Sequence, residues 1–227
     1  ELVHCAQQYD VELLDIRHPT TAFSTGTGRK RAGKRLLTVG TDCSVGKMYT
    51  SLSLEHAMAK QNIGVDFRAT GQCGILVAGA GVAIDCVVAD FISGAAESLS
   101  PDASDDHWDV IEGQGSLSHP AFAGVSLGLL HGSQPDALVI CHALNRTHMR
   151  GLPNTAFPSI EATIALNLQA ARLTNPDVVV AGISVNTSAV SVEEGRAICQ
   201  QLSEQFSLPC VDPLRDGADA IVAALPI

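Results

Sequence analysis

Eight consecutive residues, Gly40-Thr41-Asp42-Cys43-Ser44-Val45-Gly46-Lys47, have the types and spacing of a phosphate-binding loop. They follow the apolar run Leu36–Val39 and precede a stretch of helical length, the setting such a loop requires. Glycines let the backbone curl so that successive N–H groups turn inward onto an anion. The start of the following helix adds its dipole, and Lys47 adds a point charge. The next position, where a Ser or Thr hydroxyl would hold Mg²⁺, is Met48. A thioether is a poor ligand for a hard cation, and Thr50 falls on another side of the helix. The loop is therefore expected to hold phosphate with no metal ion, which suits a ligand such as coenzyme A.

The second chemical feature is Trp108-Asp109-Val110-Ile111-Glu112-Gly113-Gln114-Gly115-Ser116. It sets Glu112 at the end of an apolar strand, ahead of two glycines. In a parallel sheet such a position overlooks the phosphate loop, where a carboxylate meets a metal, a water or a proton. A carboxylate capping its own turn is the structural alternative. His119 is a candidate acid or base with a pKa in the working range, or a loop hydrogen-bonder. Asp90 lies among Val87, Val88, Phe91 and Ile92, in a stretch read as a helix over 82–99. A buried acid there would need a partner. Asp85, five positions earlier, suits a helix start.

Cations and amides gather at other strand ends. Arg68 and Gln72 belong to Arg68-Ala69-Thr70-Gly71-Gln72-Cys73-Gly74, and Arg146 and Arg150 to Arg146-Thr147-His148-Met149-Arg150-Gly151. Guanidinium forks suit carboxylates and phosphates, so Arg68, Gln72, Gln114, Arg146 and Arg150 are the candidate substrate-binding residues. Asn186 is a weaker candidate for ligand contact.

These residues need a frame that brings them to one edge. Strands are predicted at Leu36–Val39, Gly64–Ala69, Val110–Glu112, Ala137–Cys141, Val178–Ile183 and Pro209–Val211. Helices are predicted over about 46–61, 82–99, 122–131, 158–173, 191–206 and 216–225. Apolar strands without polar alternation, joined by helices, make an α/β fold with a mainly parallel sheet covered on both faces. Ligands then bind at the C-terminal strand ends. Residues 1–10 read as the end of a helix, 11–17 as a short strand, and the Gly/Ser/Thr/Lys-rich stretch 24–34 as a linker or mobile loop. We therefore divide the chain into 1–34, the tail of a preceding α/β domain plus linker, and 35–227, a P-loop α/β domain.

Composition narrows the function. The 227 residues are 46% hydrophobic and carry 24 acidic against 14 basic side chains, a net charge of −10. Such a chain supports a sizeable core and disfavours a nucleic-acid partner. No apolar run is long enough to span a membrane. The 7 cysteines include no C-x-x-C pair, and they read as free thiols in a reducing, cytoplasmic setting. The expected partners are a small molecule and further copies of the same chain.

The phosphate loop resembles that of dethiobiotin synthetase, and Glu112-Gly113-Gln114-Gly115 looks like that enzyme's metal-binding turn. Met48 departs from it. A fuller resemblance joins Val39–Met48, Ala69–Leu76, Val88–Phe91 with Gly94–Glu97, Glu112–Ser116 and Leu127–Ala137. Over about residues 35–225 these segments resemble a bacterial and archaeal P-loop family, long described as a domain of unknown function, in which Met follows the lysine. Its characterised members are D-glutamate N-acetyltransferases. They act before a deacetylase of N-acetyl-D-glutamate in D-amino-acid breakdown, and usually carry an N-terminal Rossmann-like domain.

The resemblance implies transfer of the acetyl group of acetyl-CoA to the amine of D-glutamate. Gly40 to Lys47, with Met48, would hold the CoA phosphates. Arg68, Arg146 or Arg150 would hold the substrate carboxylates. The base would be Glu112, then His119, then Asp90. Backbone N–H groups at the glycine turns would polarise the thioester. Cys43, at a helix start, would be a stabilised thiolate, although direct transfer is preferred to an acetyl-cysteine. One alternative is a Mg-ATP-dependent kinase or ligase with Glu112 and Asp90 on the metal. Another is a non-catalytic nucleotide or CoA sensor.

Overall fold

The computed structural model describes residues 1–19 and 21–226. Thr20, in the expected linker, and Ile227 lie outside the described residues. In chain order the elements begin with α1 (Leu2–Gln8), β1 (Lys34–Gly40), α2 (Lys47–Lys60), β2 (Val65–Arg68) and α3 (Gln72–Ala78). They continue with α4 (Ile92–Leu99), β3 (Trp108–Ile111), α5 (Ala123–Ser133), β4 (Ala137–Ala143), β5 (His148–Met149), β6 (Leu152–Ala156) and α6 (Ile160–Ala171). The last are β7 (Val179–Asn186), α7 (Val192–Phe206), β8 (Cys210–Val211) and α8 (Asp219–Val222).

Six strands form one sheet in the order β2-β3-β1-β4-β7-β8. Every pairing in it is parallel. β1 is thus central, and the loop leaving it sits between the ends of β3 and β4. Its apolar residues are buried on both sides because helices cover both faces. Leu36 packs with Leu54, Ala57 and Met58 of α2 and with Ile221 and Val222 of α8. Leu37 packs on the other face with Ile92, Leu129 and Leu130 from α4 and α5. Each fully buried side chain of this size contributes roughly 1.5–3 kcal/mol. α4 and α5 approach closely because Gly128 and Gly132 face Ile92 and Ser93, where a Cβ would collide. The helices α6 and α7 start on serine caps: Ser159 accepts the N–H of Ala162 and Ser191 that of Glu194.

The structure corrects several expectations. Residues 11–17 form no strand. The stretch 24–34 is a fixed strap. Glu97 of α4 accepts the N–H groups of Thr27 and Gly28, each at 2.9 Å. Arg31, buried, donates to the carbonyls of Ser100 at 2.7 Å and Gly132 at 2.8 Å. Polar side chains that suggested a linker are here spent on the domain surface.

The stretch 82–99 is not one helix. Extended backbone at Val87 and Val88 breaks it into two single 3₁₀ turns, Ile84–Cys86 and Ala89–Phe91, before α4. β-branched residues resist helical χ1 constraints, which fits a break there. α3 was read only as a turn, and the hairpin β5–β6 as a loop. The expected helix at 216–225 is one turn, α8.

Candidate active site

The phosphate loop is built by backbone geometry. Gly46 (φ 104°) and Ser44 (φ 53°) take left-handed conformations that curl the chain before α2 begins. Lys47 opens α2, is buried, and donates from Nζ to the carbonyl of Asp42 at 2.9 Å. Burial pushes its pKa down, against the pull of nearby acidic groups. The hydroxyl of Thr50 donates to the carbonyl of Gly46 at 3.0 Å and lies 2.8 Å from the Ser184 hydroxyl. It is committed there and does not replace the hydroxyl missing at Met48.

Both carboxylate oxygens of Asp42 are taken by donors of the protein itself. Its Oδ1 accepts the N–H of Cys43 at 2.6 Å, and its Oδ2 accepts the N–H of Arg150 at 2.7 Å and Nη1 of Arg146 at 3.2 Å. Burial would raise its pKa, but these donors and the Arg146 charge outweigh that and hold it below the usual range. Arg146 also donates to the carbonyls of Cys43 at 2.8 Å and Ser44 at 2.7 Å. It therefore braces the loop from outside, contrary to its expected role on substrate. His142, beside Arg146, is pushed down to about 4 by burial and that charge.

Glu112 stands just past the end of β3 and is only 5% exposed. Its Oε2 accepts the N–H groups of Thr70 at 3.0 Å and Gly71 at 3.2 Å. Thr70 in turn donates its hydroxyl to the Glu112 carbonyl at 2.6 Å and accepts from Nε2 of Gln114 at 2.9 Å. Gly74 passes so close to Oε2 that a Cβ would collide with it. Burial raises the pKa of Glu112, and the two N–H groups and Lys47 oppose that rise. Oε1 makes no hydrogen bond among the described residues.

A cleft of about 440 Å³ joins these parts, lined by Cys43, Lys47, Met48, Glu112, Gln114 and Asn186 among others. Tyr49 and Cys73 also line it. The motif reading missed Tyr49, whose only sequence signal was adjacency to Met48, and gave no role of their own to Thr70 and Cys73 within the strand-end segment Arg68–Gly74. A second cavity of about 380 Å³, between residues 14–23 and α3, holds none of the candidate site residues.

Other candidates fall elsewhere. Arg68 turns back along its strand, donating from Nε to Asp109 at 2.6 Å and from Nη2 to Asp66 at 2.9 Å, so it is spent on structure. Asp90 is exposed on a 3₁₀ turn, not buried in a helix, and does not line the cleft. Asp85 pairs with Arg17 at 3.1 Å. His119 is buried with both ring nitrogens used. Nδ1 accepts the N–H of Ala121 at 3.2 Å, which leaves Nε2–H to donate to the carbonyl of Arg150 at 3.0 Å. It is a structural hydrogen-bonder, stacked on Phe122. Burial and the Asp42 charge raise the Cys43 pKa, so it is a thiol and not the expected thiolate. Gln72 is half-buried on α3, and Arg150 is exposed beside the loop.

A central-strand phosphate loop on a parallel sheet, facing a buried carboxylate, defines a P-loop α/β protein. Residues 22–222 match the family described as "Domain of unknown function (DUF1611_C) P-loop domain", and the chain belongs to that family. A D-glutamate N-acetyltransferase of a Pseudoalteromonas species is 78% identical over 225 residues, covering 99% of this chain and 68% of that protein. One from Tritonibacter scottomollicae is 49% identical over the same length, with the same 99% and 68% coverage. The crystal structure of a DUF1611 family protein from Anabaena variabilis has a TM-score of 0.86 at 35% identity, covering 92% of this chain. This chain spans 62% of that one, less than two thirds of its length. A nucleotide-binding protein in complex with ADP from Archaeoglobus fulgidus has a TM-score of 0.50 at 15% identity over 85% of each chain, a likeness of fold alone. Among the described residues no helix is long and apolar enough to cross a membrane.

Proposed function

We propose that this chain works as a D-glutamate N-acetyltransferase, with acetyl-CoA as donor. The observation that carries the reading is the pairing of Lys47 and Glu112 on one cleft, with Oε1 of Glu112 accepting no hydrogen bond among the described residues. Relatives at 78% and 49% identity bearing that name support the substrate. The loop N–H groups and Lys47 hold the donor's phosphates. The amine of D-glutamate must be neutral to attack, and the Glu112 carboxylate takes its proton. A raised pKa makes Glu112 a stronger base than an ordinary glutamate. The amine nitrogen bonds to the acetyl carbon, the C–S bond breaks, and the CoA thiolate leaves, taking up the second proton that the nitrogen sheds as it becomes an amide.

Negative charge develops on the thioester oxygen during attack. The N–H of Gly113 is already given to the Thr38 hydroxyl at 2.9 Å. The N–H groups of Gln114, Gly115 and Ser116 make no hydrogen bond among the described residues and are the remaining donors of that turn. With Arg68 and Arg146 committed elsewhere, the second Nε2–H of Gln114 and the amide of Asn186 are the cleft-lining groups left for a substrate carboxylate. Direct transfer is favoured over an acetyl-cysteine because Cys43 is held as a thiol. The unpaired cysteines support a cytoplasmic setting.

The test is release of free CoA from acetyl-CoA with no metal added. Release with D-glutamate but not L-glutamate, lost in Lys47→Ala, is the expected result. Phosphate release from ATP on adding Mg²⁺, with no thiol release, would replace this reading with the kinase or ligase.

A further inference from the structure

We infer that Arg150 binds the diphosphate of the acyl donor, in the place a divalent cation takes in P-loop proteins that use Mg²⁺; this rests on the coenzyme A reading above. Two charged side chains line the cleft, Lys47 and Glu112, and their charges cancel. A diphosphate brings at least two negative charges into that cleft. Met48 offers no metal ligand, and the hydroxyl of Thr50 is occupied. A further cation is needed from the protein.

Arg150 is built to be that cation. Its N–H is held by Oδ2 of Asp42 at 2.7 Å and its carbonyl by Nε2 of His119 at 3.0 Å. Both partners are buried, so the backbone of an exposed hairpin residue is fixed from two sides at the rim of the loop. Its guanidinium makes no hydrogen bond or ion pair among the described residues. Arg146, four positions earlier, spends its guanidinium on the loop carbonyls and Asp42. The Arg150 charge lies near enough to Cys43, inside the loop, to act on its thiol. A planar fork on an anchored backbone loses little freedom on meeting a phosphate. Asp42 and His119 are then positioning residues for Arg150.

The test is calorimetric titration of coenzyme A and, separately, ADP into the wild type, Arg150→Gln and Arg150→Lys, in EDTA and in Mg²⁺. Both ligands should bind the wild type in EDTA, with Kd changed less than twofold by Mg²⁺. Arg150→Gln should weaken both at least tenfold at an unchanged melting temperature, and Arg150→Lys should recover part of the loss. With acetyl-pantetheine, which lacks the diphosphate, Arg150→Gln should match the wild type in kcat/KM. Wild-type binding by Arg150→Gln, a tenfold gain from Mg²⁺, or no binding of either ligand in EDTA would overturn the assignment. An equal loss with acetyl-pantetheine would move Arg150 to the substrate carboxylate and overturn it too. ADP binding that depends on Arg150, with no coenzyme A binding, would retain the assignment and remove the donor reading.

Discussion

The Oδ2 oxygen of Asp42 accepts the backbone N–H of Arg150 at 2.7 Å, across a separation of 108 residues. The phosphate loop is thereby fastened to the β5–β6 hairpin, and the shape of the loop depends on a segment outside the six-stranded sheet. A loop whose N–H groups must converge on an anion gains from such bracing, because the cost of ordering it is met before the ligand arrives.

Removing that carboxylate should loosen the loop. Asp42→Ala strands three donors and is expected to cost about 3 kcal/mol, the scale for losing a buried charged partner. Asp42→Asn keeps the shape and should cost less. The folded pKa of Asp42 is depressed, so its contribution is present above the unfolded value near 3.8 and is lost as pH falls through the folded one. Urea titrations of wild type and Asp42→Asn should therefore differ at pH 7 and converge in strong acid. A gap that stays constant with pH would show that the charge of Asp42 does not matter.

Glu112→Gln separates catalysis from stability. As the base, Glu112 must be ionised, and burial places its pKa above the ordinary glutamate range. The acid limb of the rate profile should lie correspondingly high and vanish in the variant, with kcat/KM lowered roughly 10²–10⁴-fold. For stability the sign reverses. A carboxyl with a raised folded pKa favours the fold below its unfolded pKa, and that advantage is lost as pH rises through the folded one. At neutral pH the ionised group is a burden, so Glu112→Gln should melt at a higher temperature than the wild type. A less stable variant with full activity would remove Glu112 from both roles.

The parts legible in the sequence were those that local pattern controls. Leu36–Val39, the loop after it and Lys47 follow from apolar run, glycine and lysine alone, and β1 and α2 agree within one or two residues. The cleft position of Glu112 followed from its place at a strand end. Arg68 and Arg146 were legible as strand-end cations, but not their partners. Asp109 reaches Arg68 from 41 residues away and Asp42 reaches Arg146 from 104. No spacing rule encodes such contacts. His119 failed for the same reason, since its Nε2 partner is a carbonyl on the distant hairpin. The break at Val87 was hidden because an apolar run reads alike as helix or as irregular core.

Gly74→Ala tests the seating of Glu112. A Cβ there would occupy the space of Oε2, so the carboxylate must swing off the N–H groups of Thr70 and Gly71. α3 favours alanine over glycine by about 1 kcal/mol, so the helix should tolerate the change. The expected result is a folded protein with a large loss in kcat and little change in coenzyme A affinity. Loss of affinity with kcat retained would place Gly74 against the donor instead.

Met48→Ser tests what keeps the loop from using a metal. The substitution restores a hydroxyl to the first turn of α2, where Met48 lines the cleft beside Lys47. Hard cations need oxygen ligands, and the loop already has the strand, glycines and lysine of a nucleotide site. In the wild type, Mg²⁺ should leave ADP affinity nearly unchanged. In Met48→Ser it should tighten ADP on the order of tenfold. The gain should be larger still in the double variant with Arg150→Gln, because the two cations would otherwise compete for the same oxygens. If Met48→Ser shows no magnesium effect in either background, the thioether is not what excludes the metal. The cause would then be the acidic partner: Glu112, tied by Oε2 to Thr70 and Gly71, would stand too far from the loop to complete a coordination shell.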